Sequence, residues 1–202
     1  MVTTEWDQKL VISSHNTGKI KEFYELFKPF NITLFSSLDF NIDEPKENGK
    51  NFSENALIKA YYTYEHTGLA SLSDDSGICI EALEGQPGIF SARWAGPKKD
   101  FSEAIKKVEK KLKNLKIEKA CAFFICSLAI VWPDGSHQLF EGRVDGRLIF
   151  PPRGNFGFGY DPIFIPHGYK ETFGEMDPKI KKKISHRAEA FKILCQACFN
   201  EK

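Results

Sequence analysis

Asp74 and Asp75 are the residues of this chain whose placement most calls for chemistry, because they break an apolar stretch and are followed at once by Ser76 and Gly77. Adjacent carboxylates repel, and a partly buried carboxylate is costly unless a cation or hydrogen-bond donors compensate it. A divalent ion such as Mg2+, which takes oxygen ligands, would supply that compensation. Residues 69–72 and 78–83 read as short strands, so the acids are expected at a strand end or sharp turn. The competing reading is an Asp-Asp-Ser-Gly surface turn, since these residue types are ordinary in turns.

Cations and glycines gather elsewhere in the chain. Lys19 falls in the first turn of an expected helix capped by Asn16, where the helix dipole disfavours a cation unless an anion lies between it and the backbone N–H groups. That arrangement suits a phosphate, although a single glycine, Gly18, is not a Walker loop. Glu47 sits in a polar loop over 43–50 and Lys59 lies off the apolar stripe of the helix that follows; taken alone, both read as surface charges. Over 151–162 glycines alternate with aromatic residues, a pattern that lets backbone approach a ligand while presenting flat rings. Residues 179–187 concentrate five cations with His186, just where Ser185 is expected to cap the last helix. Cys195 and Cys198 form a CxxC, but both share the apolar face of that helix, and we read them as core rather than redox or metal chemistry.

These residues need a scaffold, and apolar periodicity outlines it. Residues 9–13 read as a strand, followed by a helix with Ile20, Phe23, Tyr24 and Phe27 on one face. Residues 51–54 match a capping box ahead of a helix with Leu57, Ala60, Tyr61 and Tyr64 apolar. Asp100 to Glu103 opens a further helix that buries Phe101, Ala104, Ile105, Val108 and Leu112, with its lysines on the solvated face. Residues 121–132 and 138–150, kinked at Gly142 and Gly146, form a hairpin across the turn at 133–136. The last helix is expected to bury Ala188, Phe191, Leu194, Cys195, Cys198 and Phe199.

The 202 residues suffice for one domain spanning 1–202, with 1–8 as a short N-terminal extension. A net charge of +1 advertises neither nucleic acid nor an anionic membrane as partner. The longest apolar run is too short to span a bilayer, and the start lacks a signal-peptide core, so a soluble cytoplasmic protein with buried reduced thiols is expected.

Six motifs then fall in one register. Ser14-His-Asn-Thr-Gly-Lys19, Phe52-Ser-Glu-Asn-Ala56 with Lys59, Ser73-Asp-Asp-Ser-Gly77, Pro87-Gly-Ile-Phe-Ser-Ala-Arg93, Gly157-Phe-Gly-Tyr-Asp-Pro162 and Ile184-Ser-His-Arg187 resemble the inosine triphosphate pyrophosphatase family in order and spacing. The resemblance spans roughly residues 9 to 199. It departs at His15, where bacterial members commonly have glycine; if that glycine has special backbone geometry, His15 must reach it under strain. The family implies an α/β fold, an elongated mixed β-sheet flanked by helices in two lobes with the nucleotide in a central cleft, usually as a homodimer. It implies hydrolysis of ITP, dITP and XTP to the monophosphate and pyrophosphate with Mg2+. It casts Asp75 as catalytic acid and metal ligand, with Glu47 and Asp74 as metal-binding companions. The substrate set it implies is Ser14, His15, Asn16, Thr17, Gly18, Lys19, Lys59, Ser76, Phe158, Gly159, Tyr160, Asp161, Lys181, His186 and Arg187.

The residue types suit that chemistry. A nucleoside triphosphate carries about four negative charges, which Mg2+ with Lys19, Lys59 and Lys181 would neutralise as pyrophosphate leaves. Water is the expected nucleophile, with Asp75 as base or orienting a metal-held hydroxide. Phe158 would stack on the purine, and His186 and Arg187 would donate to a 6-keto oxygen that adenine lacks. Two alternatives stand beside this reading. A Maf-like pyrophosphatase of modified pyrimidines is disfavoured by Ile184-Ser-His-Arg187, and a nucleotide-sensing or RNA-binding module would not need Asp75 and Glu47.

Overall fold

A computed structural model of the chain describes residues 6–199. Its backbone forms one mixed six-stranded sheet in the order β2-β1-β3-β4-β5-β6, flanked by helices, as expected for an α/β fold. The chain divides into two compact units, one of Met1–Asp75, Ser127–Glu141 and Ile193–Lys202, the other of Ser76–Cys126 and Gly142–Lys192. The first five residues of the expected N-terminal extension lie outside the described residues. No helix among the described residues is long and apolar enough to cross a membrane.

The first unit starts with β1 (Lys9–Ser13), α1 (Thr17–Phe27) and β2 (Thr33–Ser36), then α2 (Phe52–Thr67) leads into β3 (Ala70–Ile80). β1 runs parallel to both β2 and β3, with Ile12 opposite Ser36 on one side and Leu72 on the other. Leu10, Val11 and Ile12 are wholly buried, as in a strand covered on both faces. Phe23 and Phe27 anchor α1, each stabilising by about 1.5–3 kcal/mol on burial.

Helix α2 departs from its sequence reading. Leu57, Tyr61 and Tyr64 do pack on a small cluster of Ala56, Ala60, Ala129 and Val131, but the face that is buried carries Phe52, Asn55, Lys59 and Thr63 as well. The alanines let the helix lie so close to the strands that serine hydroxyls reach its main chain. Ser13 donates to the Lys59 carbonyl at 2.8 Å, Ser71 to Ala60 at 2.6 Å and Ser73 to Ala56 at 2.5 Å. Thr63 in turn donates to the Ser13 hydroxyl at 2.7 Å, so these buried polar groups are satisfied.

Residue Trp6, from the extension, closes an aromatic cluster in this unit. Its ring meets Trp132 edge-on at 5.5 Å and Phe199 at 6.0 Å, and Phe199 also packs against Phe27 and Phe30. Each such pair contributes about 0.5–1.5 kcal/mol beyond burial.

The second unit contains α3 (Ser91–Trp94), α4 (Phe101–Asn114), β6 (Phe164–Pro166), α5 (Pro178–Ile184) and the start of α6 (His186–Cys198). The hairpin is β4 (Cys121–Val131) and β5 (His137–Leu148). Ala104, Ile105, Val108 and Leu112 of α4 pack on Ile78, Ile80 and Leu83, with Phe124, Phe164, Phe173 and Met176 completing the core. Gly142 and Gly146 serve close approach: a Cβ on Gly142 would collide with the His186 carbonyl and the Ala190 amide, and one on Gly146 with the Ile165 carbonyl. The last helix buries Ala190 rather than Ala188, while Phe191 and Leu194 are buried as expected. Cys195 and Cys198 are half-buried, and burial pushes their thiols up to about 12 and about 11, which disfavours the thiolate that redox chemistry needs. Cys121, the first residue of β4, is exposed rather than buried.

Candidate functional site

The acid pair does not sit at a turn. Asp74 and Asp75 lie within the continuous strand β3, and they are 1% and 7% exposed, so the surface-turn reading fails as well. Consecutive residues of a strand project to opposite faces, and the two acids accordingly meet different helices. Asp74 Oδ2 is 3.0 Å from Lys19 Nζ of α1. Asp75 Oδ1 is 3.7 Å from Lys59 Nζ of α2, and its Oδ2 accepts from Asn55 Nδ2 at 3.1 Å.

Glu47 and Lys59 are partners rather than separate surface charges. Lys59 Nζ lies 2.6 Å from Glu47 Oε1, and the lysine is only 7% exposed. Glu47 and Asp75 thus share Lys59, while Asp74 pairs with Lys19. The sharing appears in both protonation equilibria. Burial raises the Asp75 pKa, and Glu47 adds to that, while Lys59, Lys19 and the Asn55 hydrogen bond only partly offset it. Burial works to lower the Lys59 pKa, yet Asp75, Glu47 and Asp74 more than offset this and hold it above its ordinary value. Two carboxylates converging on one lysine make a donor pair that a further cation could join.

Mg2+ would suit such a pair. Among the described residues no group of three His, Cys, Asp or Glu side chains forms a ready metal cage. Mg2+ does not ask for one, since it is commonly held by one or two carboxylates together with substrate phosphates and water. Glu47 and Asp75, which already share one ammonium group, are the donors suited to it. Asp74 engages Lys19 on the other face.

The turn between β1 and α1 is built from its own side chains. Asn16 caps α1, its Oδ1 accepting the amides of Gly18 at 2.9 Å and Lys19 at 3.2 Å, so those N–H groups are engaged rather than open. Ser14 Oγ accepts the Asn16 amide, and Thr17 is exposed on the first turn. His15 needs no left-handed backbone, for it is absent from the non-glycine residues with positive φ among those described, and the expected strain does not arise. Its Nε2 donates instead to the Ile42 carbonyl at 2.7 Å, at the start of the loop that carries Glu47.

In the second unit the predicted residues assemble differently. Asp161, buried, accepts from the Phe158 amide at 2.8 Å and pairs with Lys181 Nζ at 2.5 Å. Lys181 lies 5.2 Å from the centre of the Phe158 ring, so its charge is neutralised beside the aromatic loop. Gly157 adopts φ +74, and a Cβ there would strike the Asp161 carboxylate. Phe158 itself is 37% exposed and offers a ring face, whereas Tyr160 is buried in the core with its hydroxyl donating to the Ser91 carbonyl. Tyr160 therefore has only main chain to offer a ligand, as does its half-buried neighbour Gly159. Ser185 caps α6 through the Ala188 amide as expected, but the lysines before it form a short helix of their own, capped by Asp177. His186 stacks on Phe124 at 4.8 Å with an 11° tilt, and Arg187, 2% exposed, donates from Nη2 to Ser76 Oγ at 3.1 Å.

One residue escaped sequence reasoning. Asn55 is fully buried beside Asp75, yet it was passed over inside the Phe52–Ala56 motif. A signal existed: Asn55, Lys59 and Thr63 recur every four residues, a polar stripe beside the apolar one.

The chain resembles known proteins throughout its length. The sequence profile of the Ham1 family matches residues 10–197. A dITP/XTP pyrophosphatase of Zymomonas mobilis is 49% identical over 192 residues, covering 94% of this chain and 91% of its own length. One of Caulobacter vibrioides is also 49% identical, covering 95% of this chain and 98% of the relative. The structure of a HAM1 protein from Coxiella burnetii superposes with a TM-score of 0.87 at 36% identity, over 95% of this chain and 98% of that one. The Ham1 protein of Staphylococcus aureus gives 0.84 at 34% identity, over 96% and 100%. With the acid strand, its two lysine-bearing helices and the aromatic glycine loop in place, this chain belongs to the Ham1 family.

Proposed function

We propose that this chain hydrolyses non-canonical purine nucleoside triphosphates, dITP, XTP and ITP, to the monophosphate and pyrophosphate with Mg2+. As a Ham1 family member whose relatives are named pyrophosphatases, it is a nucleoside triphosphate pyrophosphatase, a hydrolase of acid anhydrides. The observation that carries the finer reading is the cluster of Glu47, Asp74 and Asp75 against Lys19 and Lys59.

Water attacks the α-phosphorus, the bond to the bridging oxygen of the β-phosphate breaks, and pyrophosphate leaves. Asp75 accepts the proton of that water as general base. Glu47 and Asp75 would hold Mg2+, which would supply charge neutralisation for the triphosphate. Lys19 and Lys59 hold phosphate oxygens, each leaving a carboxylate to do so. The exposed Phe158 ring stacks on the base, and Lys181 with Asp161 keeps that loop in shape. His186 and Arg187 select the 6-keto group, because a buried donor facing adenine would lose its partner. We expect a homodimer acting in the cytoplasm, as the family resemblance implies.

The test is to incubate purified protein with Mg2+ and a panel of nucleoside triphosphates and to separate the products. Inosine or xanthosine monophosphate plus pyrophosphate supports the reading. Diphosphate plus orthophosphate would mean attack at the γ-phosphorus and would overturn it.

A further inference from the structure

Asn55 touches two segments at once. Its Oδ1 accepts the Gly49 amide at 2.8 Å and its Nδ2 donates to Asp75 Oδ2 at 3.1 Å. The orientation of the amide is unambiguous, since a backbone N–H requires an acceptor and a carboxylate requires a donor. The residue is fully buried, and the helix beneath it is fixed to the strands by the hydroxyls of Ser73 and Ser71 on the Ala56 and Ala60 carbonyls. Gly49 leaves the space this needs, for a Cβ there would stand 2.7 Å from Asn55 Oδ1 and 2.8 Å from the Asn55 amide. Glu47 is two residues away on the same loop.

One turn along α2, Lys59 bridges the same two segments, Glu47 at 2.6 Å and Asp75 at 3.7 Å. The two bridges differ in kind. Lys59 holds by charge, and a substrate phosphate or an added cation competes with it. Asn55 is neutral and holds whatever the charge state. We propose that Asn55 is a positioning residue that fixes the Glu47 loop against Asp75 while Lys59 exchanges partners during turnover. Its kinetic consequence rests on the pyrophosphatase reading; its structural consequence does not.

The experiment compares Asn55→Ala and Asn55→Asp with wild type, below the melting temperature of each. Amide hydrogen exchange is followed at Gly49 in the substrate-free protein, and kcat and KM are measured with dITP and Mg2+. Asn55→Ala removes both bonds, so Gly49 exchange rises by about tenfold or more. Asn55→Asp keeps an acceptor for Gly49 but loses the amide donor, so Gly49 stays protected. In both variants kcat falls about 10- to 100-fold, the range for lost supporting hydrogen bonds, while KM stays within about threefold. A residue that merely stabilised the helix would lower the melting temperature and leave kcat of the folded protein intact, which would overturn the proposal. So would unchanged Gly49 exchange in Asn55→Ala. If wild type splits no triphosphate at all, the pyrophosphatase reading fails, and Gly49 exchange still decides whether Asn55 is a tether.

Discussion

In the first unit, Asp74 pairs with Lys19 while Glu47 and Asp75 share Lys59. In the second, Lys181 is matched by Asp161, Arg187 donates to the neutral Ser76, and His186 lies flat on Phe124. The first set is frustrated in charge and has reason to change partners. The second is settled pair by pair and presents shape: a ring face at Phe158, a buried guanidinium and a stacked imidazole. On the proposed function, electrostatics of the first kind would serve a transition state, and geometry of the second kind would tell one base from another.

That contrast is open to attack from both sides. The largest effect is expected from Asp75→Asn, which should lower kcat by about 10²–10⁴-fold, the range for losing a general base, with dITP binding largely kept. Steady-state kinetics beside calorimetric binding checks this, and unchanged turnover would remove Asp75 from the chemistry. Lys19→Ala should instead act mainly through KM, by about tenfold or more, because it removes a phosphate contact present before and during reaction. An unaltered KM and kcat would refute that role. Arg187→Gln should disturb kcat for dITP less than Asp75→Asn does and narrow its preference over dATP by about 10- to 100-fold, as the loss of a buried specific donor predicts. If instead both substrates suffer equally, the second unit is not reading the base.

The smallest effect concerns pH. Burial raises the Asp75 pKa above its unfolded value, so the folded chain holds that proton more tightly than the unfolded one. The stability this contributes is full below the unfolded pKa, near 3.8, and is lost as pH rises through the folded value. Without Mg2+, Asp75→Asn should therefore melt above wild type at neutral pH, with the gap closing on acidification. A variant that melts below wild type at pH 7 would show that Asp75 is better compensated than its burial implies.

Strand β1, helix α1 with its Asn16 cap, and helix α4 with its buried stripe were legible because local chemistry decides them. The motif register was legible too, and with it the family. Several particulars were not. Asp74 and Asp75 read as a strand end or turn because Asp, Ser and Gly favour turns, but β3, paired with β1 as far as Ser73, runs on through them, and ion pairs from two helices meet them inside the strand. Lys59 read as solvated because it lies off the apolar stripe of α2, yet alanines and serines bring that helix close enough to bury it.

By itself, the order of residues determined which groups were available: how many acids and cations, and which residues of each helix are greasy. Those properties act within a few residues of one another. Which acid meets which lysine, that Asn55 links Gly49 to Asp75, and that Lys181 is neutralised by Asp161 were decided only by the tertiary structure. Each joins residues distant in sequence, and their burial removes the water that would otherwise let such charges ignore one another.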